Sequence, residues 1–153
     1  SQPYVVARMI ELLVQDRDAG KVLEVGTGCG YQAAVLAQLA SEVFSIERIR
    51  ELLERARANL REMRLKNLRL AYGDGAAGLE KAAPFDSIIV AAATPELPQA
   101  LLRQLAPGGR MILPLRGSGA GAQRLVLVER GARGYTETAL DPVRFVPLRA
   151  GKA

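Results

Sequence analysis

Val22-Leu23-Glu24-Val25-Gly26-Thr27-Gly28-Cys29-Gly30-Tyr31-Gln32 decides the fold. A short apolar strand, Val22 to Gly26, runs into three glycines spaced two apart. A helical pattern follows from Gly30 to about Ala40, with Val35 and Leu39 expected inward. Glycines at a strand-to-helix turn let the backbone bend sharply and let a ligand come close. The helix that follows offers its unpaired N–H groups at the same place. A dinucleotide fingerprint reads G-x-G-x-x-G, whereas here the spacing is G-x-G-x-G and Tyr31 stands where the third glycine belongs. Glu24, two positions before the first glycine, repels a pyrophosphate and attracts an amino group. The loop therefore predicts S-adenosylmethionine rather than a nicotinamide dinucleotide. The plain alternative is a tight turn with no ligand.

Outward from this loop the chain alternates strand and helix patterns, which predicts an α/β fold with a mostly parallel sheet. Upstream, Val5, Val6, Met9, Ile10 and Leu13 fall at helical spacing, with Pro3 in the first turn, where a missing N–H costs little. Downstream, Glu42 to Glu47 reads as a second strand. Ile49, Leu52, Leu53, Ala56, Leu60 and Met63 then mark a long amphipathic helix with a charged outer face. Leu68 to Tyr72 is a third strand. Phe85 to Ala93 is the most continuous apolar stretch, hence a central strand. Pro98 to Leu105 is a short helix, ended by Pro107-Gly108-Gly109, and Arg110 to Leu115 is a fifth strand. The last third differs. After the loop Gly117 to Gly121, Arg124 to Glu129 and Tyr135 to Leu140 flank a glycine-rich turn and predict an antiparallel hairpin. Val143 to Leu148 is a final extended segment. One domain covers residues 1–153.

Composition narrows the function. The chain is 153 residues long, 49% hydrophobic and 24% charged, an ordinary globular balance. No apolar run is long enough to span a bilayer, and the first residues do not read as a signal peptide. Cys29 is the only cysteine and there is no histidine, so neither a disulfide framework nor a transition-metal site is expected, and Ser-His-Asp or Cys-His catalysis is excluded. The net charge is +5. The cations, mostly arginine, are scattered. Only Arg55, Arg57, Arg61 and Arg64 cluster, and they read as the solvated face of a helix.

Further candidates sit at strand ends, where ligands of such folds bind. Glu47 ends the second strand ~20 residues after the loop, the place of a carboxylate that accepts ribose hydroxyls. Arg48 follows it. A helix N-terminal acid is the alternative for Glu47, and the two roles are compatible. Gly73-Asp74-Gly75 ends the third strand. Asp74 is placed to accept an adenine amino group, with Gly75 leaving room for the ring, or the segment is an ordinary Asp-Gly turn. The expected cofactor residues are thus Glu24, Gly26, Thr27, Gly28, Glu47, Arg48, Asp74 and Gly75. No metal ligand is expected.

Taken together, Ser1-Gln2-Pro3-Tyr4, Val22 to Gln32, Gly73-Asp74-Gly75, Ala83 to Val90, Leu105 to Leu115 and Val143-Arg144-Phe145-Val146-Pro147-Leu148 resemble bacterial protein-L-isoaspartate O-methyltransferases over essentially the whole chain. The cofactor motifs are shared by many methyltransferases. Ser-x-Pro at the front and Arg-Phe-Val-Pro-Leu at the back are far narrower. The resemblance implies a Rossmann-like class I S-adenosylmethionine-dependent methyltransferase. Its twisted, mostly parallel sheet would carry helices on both faces and an antiparallel C-terminal hairpin. It implies methylation of the isoaspartyl carboxylate that arises when asparagine deamidates or aspartate isomerises. The ester then closes to a succinimide that partly reopens to aspartate, and S-adenosyl-L-homocysteine is the other product. The substrates are isoaspartyl-containing proteins and peptides, with no nucleic-acid or membrane partner, and a cytoplasmic monomer is expected. Ser1 matches the family serine near the reacting groups, where its hydroxyl orients the substrate carboxylate. Read from the residues alone, Ser1 is a helix N-cap. Arg144 and its neighbours match the segment beside the substrate cleft, and read alone they are an edge strand. Cys29 replaces a residue that is often serine, a small neutral change.

The chain starts at the family serine, whereas the family carries a preceding segment ending in Thr-Ile. Without that segment the resemblance implies weaker cofactor binding and low turnover. Two other functions compete. A methyltransferase of nucleic acid or a small molecule shares the cofactor core, but Ala92-Ala93-Thr94-Pro95-Glu96 offers no aromatic on which to stack a base. A cofactor-binding fragment with little activity is the third reading.

Overall fold

The computed structural model describes residues 3–117, 119 and 121–153. Its elements run α1 (Pro3–Val14), β1 (Lys21–Val25), α2 (Tyr31–Leu39), β2 (Glu42–Glu47), α3 (Arg50–Leu60), β3 (Leu68–Tyr72), β4 (Phe85–Val90), α4 (Gln99–Arg103), β5 (Leu105–Arg116), β6 (Gln123–Gly131) and β7 (Gly134–Pro142). The strands form one seven-stranded sheet in the order β3-β2-β1-β4-β5-β6-β7. β1 to β5 pair in parallel; β6 and β7 are antiparallel additions, as the glycine-rich turn predicts. The chain moves outward from β1 to β3, then returns to place β4 against the other side of β1. That reversal opens a crevice at the carboxyl ends of the strands.

Alternation along the strands makes two cores. Val22, Val43, Ile89, Ile112 and Leu125 point to one face, where they meet Met9, Leu13 and Leu36 of α1 and α2. Leu23, Ile46, Ile88, Val90, Met111 and Val126 point to the other and pack with Leu101 and Leu102 of α4. A period of two thus puts every second residue under a different helix layer, the signature of a sheet covered on both faces.

Four boundaries differ from the sequence expectation. Leu39 is exposed, because α2 turns Ala33, Leu36 and Ala37 inward and Leu39 lies on the opposite side of the helix from Ala37. Met63 is also exposed: α3 stops at Leu60 and Arg61–Met63 form a tighter 3-10 turn, which breaks the helical spacing. Pro107-Gly108-Gly109 does not end α4, which stops at Arg103. It lies inside β5 as an irregularity, since Phe85 pairs with Leu105 while Ser87 pairs with Arg110. β4 ends at Val90, so Ala91 to Ala93 lie beyond the strand, with Ala91 and Ala92 in the crevice.

The start of β1 is set by Gly20, at φ +65°. Asp86 lies where a side chain would go, and its Oδ2 accepts the N–H of Lys21 at 2.8 Å. Gly20→Ala gains ~0.4–1 kcal/mol by restricting the unfolded chain. It loses about 1–3 kcal/mol to left-handed strain, before the clash with Asp86 is counted. With the clash against Asp86 added, urea denaturation should show net destabilisation on the order of 1 kcal/mol.

Candidate cofactor site

The crevice is a pocket of about 530 Å³. Val25, Gly26 and Gly28 line it from the end of β1, Ile46 to Ile49 from the end of β2, Leu52 from α3, and Gly75 from the end of β3. Ala91 and Ala92 close it from β4, and Val146 to Arg149 from the last segment.

The loop after β1 bends as its glycines require, with Gly26, Gly28 and Gly30 at φ +99°, +55° and +95°. Gly26 still extends the β1–β2 ladder, its N–H donating to Ile46 O at 2.9 Å. Beyond it, Gly28 N–H donates to Glu47 Oε1 at 2.9 Å. The other oxygen of Glu47 accepts the N–H of Ile49 at 3.0 Å. One buried carboxylate therefore joins the glycine loop to the start of α3. Each of its oxygens keeps a second lone pair.

Glu24 and Thr27 are also buried but do not line the pocket. They sit beneath it in a hydrogen-bonded chain. Ser45 Oγ donates to Glu24 Oε1 at 2.5 Å and lies 2.6 Å from Thr27 Oγ1. Glu24 Oε2 and Gln32 Nε2 have no hydrogen-bond partner among the described residues. Burial pushes the Glu24 carboxyl up to about 8, against the pull of the Ser45 hydroxyl and the Gln32 amide, and with a smaller push from the charge of Glu47.

The structure brings Gly26, Gly28, Glu47, Arg48 and Gly75 together on one pocket wall. Asp74 stands beside Gly75, and its Oδ1 accepts the N–H of Ala76 at 3.0 Å, capping a short 3-10 turn. A Cβ on Gly75 would meet Val25 Cγ1 at 2.5 Å, so the close approach there needs glycine. Ser1 lies outside the described residues. Arg48 is half-buried and its Nε donates to Gly151 O at 3.1 Å. Arg144 is exposed, and the next four-residue stretch, Phe145 to Leu148, is held over β4. Ala93 N–H donates to Val146 O at 2.7 Å, and Leu148 N–H donates to Ala93 O at 2.8 Å.

Sequence reasoning missed Ser45. A hydroxyl in an apolar strand, two residues before Glu47 and so on the same face, was the available signal. It also missed Ile49, Leu52, Ala91 and Ala92. Apolar walls carry no motif, and only their places at strand ends mark them.

These residues suit S-adenosylmethionine. Glu47 offers free lone pairs to a diol, and Val25, Ile46, Ile49 and Leu52 offer apolar contact to a ring. Gly26, Gly28 and Gly75 leave the backbone open at the pocket wall.

The raised Glu24 group has a consequence for stability. The folded chain keeps a proton that the unfolded chain releases near its ordinary value of 4.5, so stability is full below that pH, falls as pH rises toward about 8, and then levels. Glu24→Gln keeps the shape and removes the titration. Urea midpoints between about pH 5 and pH 8 should fall for the parent chain and fall less for the variant. Parallel curves would remove Glu24 as the cause.

The profile of the family described as protein-L-isoaspartate(D-aspartate) O-methyltransferase matches residues 1–153. The protein-L-isoaspartate O-methyltransferase of Azoarcus sp. (strain BH72) is 61% identical over 152 residues, which is 99% of this chain and 69% of that one. A solved structure named protein-L-isoaspartate O-methyltransferase superposes with a TM-score of 0.88 at 29% identity, over 98% of this chain and 48% of the other. The chain thus spans about half the length of that solved relative. A Plasmodium falciparum structure, described as a candidate of the same enzyme in complex with S-adenosyl-L-homocysteine, shares the fold. It has a TM-score of 0.82 at 24% identity, over 97% of this chain and 75% of that one. By profile and by identity, the chain belongs to the protein-L-isoaspartate (D-aspartate) O-methyltransferase family.

Proposed function

We propose that the chain carries the methyl-transfer core of a protein-L-isoaspartate O-methyltransferase. Such an enzyme takes a methyl group from S-adenosylmethionine to the isoaspartyl carboxylate of damaged proteins and so starts their repair. The observation that carries this reading is the composition of the pocket itself. The cofactor wall from β1 and β2 faces Val146 to Arg149, which continue the narrow Arg144 to Leu148 motif. On this reading cofactor and substrate determinants share one crevice.

The residues at hand meet the needs of that chemistry. S-adenosylmethionine, when bound, supplies a methyl group made electrophilic by an attached sulfonium. An isoaspartyl carboxylate is already ionised near neutrality, so no general base is required, and the lack of histidine is no obstacle. What remains is alignment and exclusion of water. Glu47 and the backbone of Gly26 and Gly28 hold and orient the cofactor. The apolar walls Val25, Ile46, Leu52 and Pro147 keep the crevice dry. Arg48 and Arg149 put positive charge at its edge, where an anionic substrate enters. Ser1 orients the substrate carboxylate, and Asp74 with Gly75 receives the adenine. The substrate is protein or peptide, and the enzyme works as a cytoplasmic monomer. No helix among the described residues is long and apolar enough to cross a membrane.

Matched peptides carrying aspartate or isoaspartate, incubated with labelled S-adenosylmethionine, test the substrate. Label should appear on the isoaspartyl peptide and stay near background on its partner. Equal labelling of both, or labelling of RNA instead, overturns the reading. Glu47→Ala tests the cofactor site separately. It removes hydrogen bonds to a charged acceptor, each worth roughly 1.5–3 kcal/mol. Calorimetry should show S-adenosyl-L-homocysteine binding weakened at least ~10-fold. Unchanged affinity would take Glu47 out of the site.

A further inference from the structure

In and beneath the glycine loop, Thr27, Glu24 on β1, Gln32 on α2 and Ser45 on β2 are four buried polar side chains that the methyl-transfer chemistry does not use directly. Ser45 is fully buried and sits between two of them, 2.6 Å from Thr27 Oγ1 and 2.5 Å from Glu24 Oε1. A serine hydroxyl has one proton to give. When Glu24 is ionised, Ser45 gives that proton to Glu24 and Thr27 donates to Ser45. In that state the chain of bonds runs from the loop to the strand beneath it. Glu47 and Ser45, two residues apart on one face of β2, thus grip the same loop at two points. Glu47 takes the Gly28 N–H and Ser45 takes the Thr27 hydroxyl.

We propose that Ser45 is a positioning residue for the cofactor: by tying Thr27 to Glu24 it holds the glycine loop in the shape that receives S-adenosylmethionine. This rests on the pocket being the cofactor site. Ser45 touches no pocket space and acts through Thr27 and Glu24.

The direction of the bonds couples the loop to charge. An ionised Glu24 only accepts, which admits a single orientation of Thr27 and Ser45. A Glu24 protonated on Oε1 donates instead and reverses both. Glu47, the charged neighbour on β2, opposes ionisation of Glu24. From α2 the facing group is the uncharged Gln32, and on β4 the paired residue is Ile89. The cofactor carries a sulfonium and an ammonium against one carboxylate, so it favours the ionised form. Its affinity therefore rises with pH as Glu24 titrates. The Ser45 hydroxyl, which stabilises the ionised form, sets where on the pH scale that rise occurs.

Calorimetric titration of S-adenosyl-L-homocysteine and S-adenosylmethionine into the parent chain, Ser45→Ala, Thr27→Val and the double variant tests this. Each single change should weaken binding ~10-fold. The double variant should be no weaker than the poorer single, because both cut one chain of bonds. The affinity of the parent for S-adenosylmethionine should rise across about pH 6 to 9. Ser45→Ala should move that rise to higher pH, and Glu24→Gln should abolish it. A merely structural serine would lower the melting temperature and leave the position of the rise unchanged. Should Ser45→Ala fail to fold, Thr27→Val, at the loop end of the same chain, carries the affinity loss, and Glu24→Gln carries the loss of the pH-dependent rise. Losses that multiply in the double variant, or a rise in the same place for every variant, overturn the proposal. No binding of either compound to the parent would remove the cofactor site, and the proposal with it.

Discussion

The carboxylate of Glu47 is the contact on which the site depends. A chain that leaves a strand through a sharp turn strands its N–H groups, and a buried, unpaired N–H costs about as much as a lost hydrogen bond. Here one acid from the neighbouring strand takes two of them, at Gly28 and at Ile49. The glycine loop, the end of β2 and the start of α3 become one rigid corner. Glycine makes the loop bendable, but the acid decides which bend is kept. The same corner forms the pocket wall, so the group that holds the fold locally also lines the pocket.

The two acids of this corner are both buried, but they are held by different partners. Glu47 receives two backbone N–H donors, which suit an ionised carboxylate. Glu24 receives one hydroxyl and leaves its second oxygen without a partner among the described residues. Solvation lost on burial is only partly replaced at Glu24, and its carboxyl rises accordingly. A charged residue two positions before a glycine loop was read from the sequence as an attraction for a ligand amine. The structure buries that carboxylate outside the pocket lining, hydrogen-bonded to Ser45.

Much of the fold was legible because its signals are local and periodic. Alternation along β1, β2 and β4, the glycine spacing at 26, 28 and 30, and the turn between Gly131 and Gly134 each report a geometry that neighbouring residues enforce. The misreadings fall where tertiary packing overrides spacing. Leu39 looks like a core residue until α2 is seen to turn its alanines inward. Pro107-Gly108-Gly109 looks like a terminator, yet the pairing of β4 with β5 resumes around it. The acids and glycines of the site were readable because their chemistry is rare at strand ends. Ser45 was not, since one hydroxyl in an apolar strand has no meaning until the two groups it joins are known to lie on either side.

The pocket also explains why the narrowest sequence motif lies so far from the cofactor loop. The walls from β1, β2 and β3 come from the part of the chain that any sheet of this topology must build. The remaining wall is Val146 to Arg149, reached only after the antiparallel hairpin has carried the chain away and back. Two backbone bonds to Ala93 seat it over the end of β4, and Ala153 N–H, donating to Arg48 O at 2.7 Å, ties the chain beyond it to the end of β2. This strap crosses from the β4 side of the crevice to the β2 side. A residue in it therefore meets both the cofactor wall and whatever enters from outside. The glycine loop is held from one side, by Glu47 and the β2 backbone. The strap is held from both sides of the crevice at once, so its shape depends on how the ends of β2 and β4 are spaced.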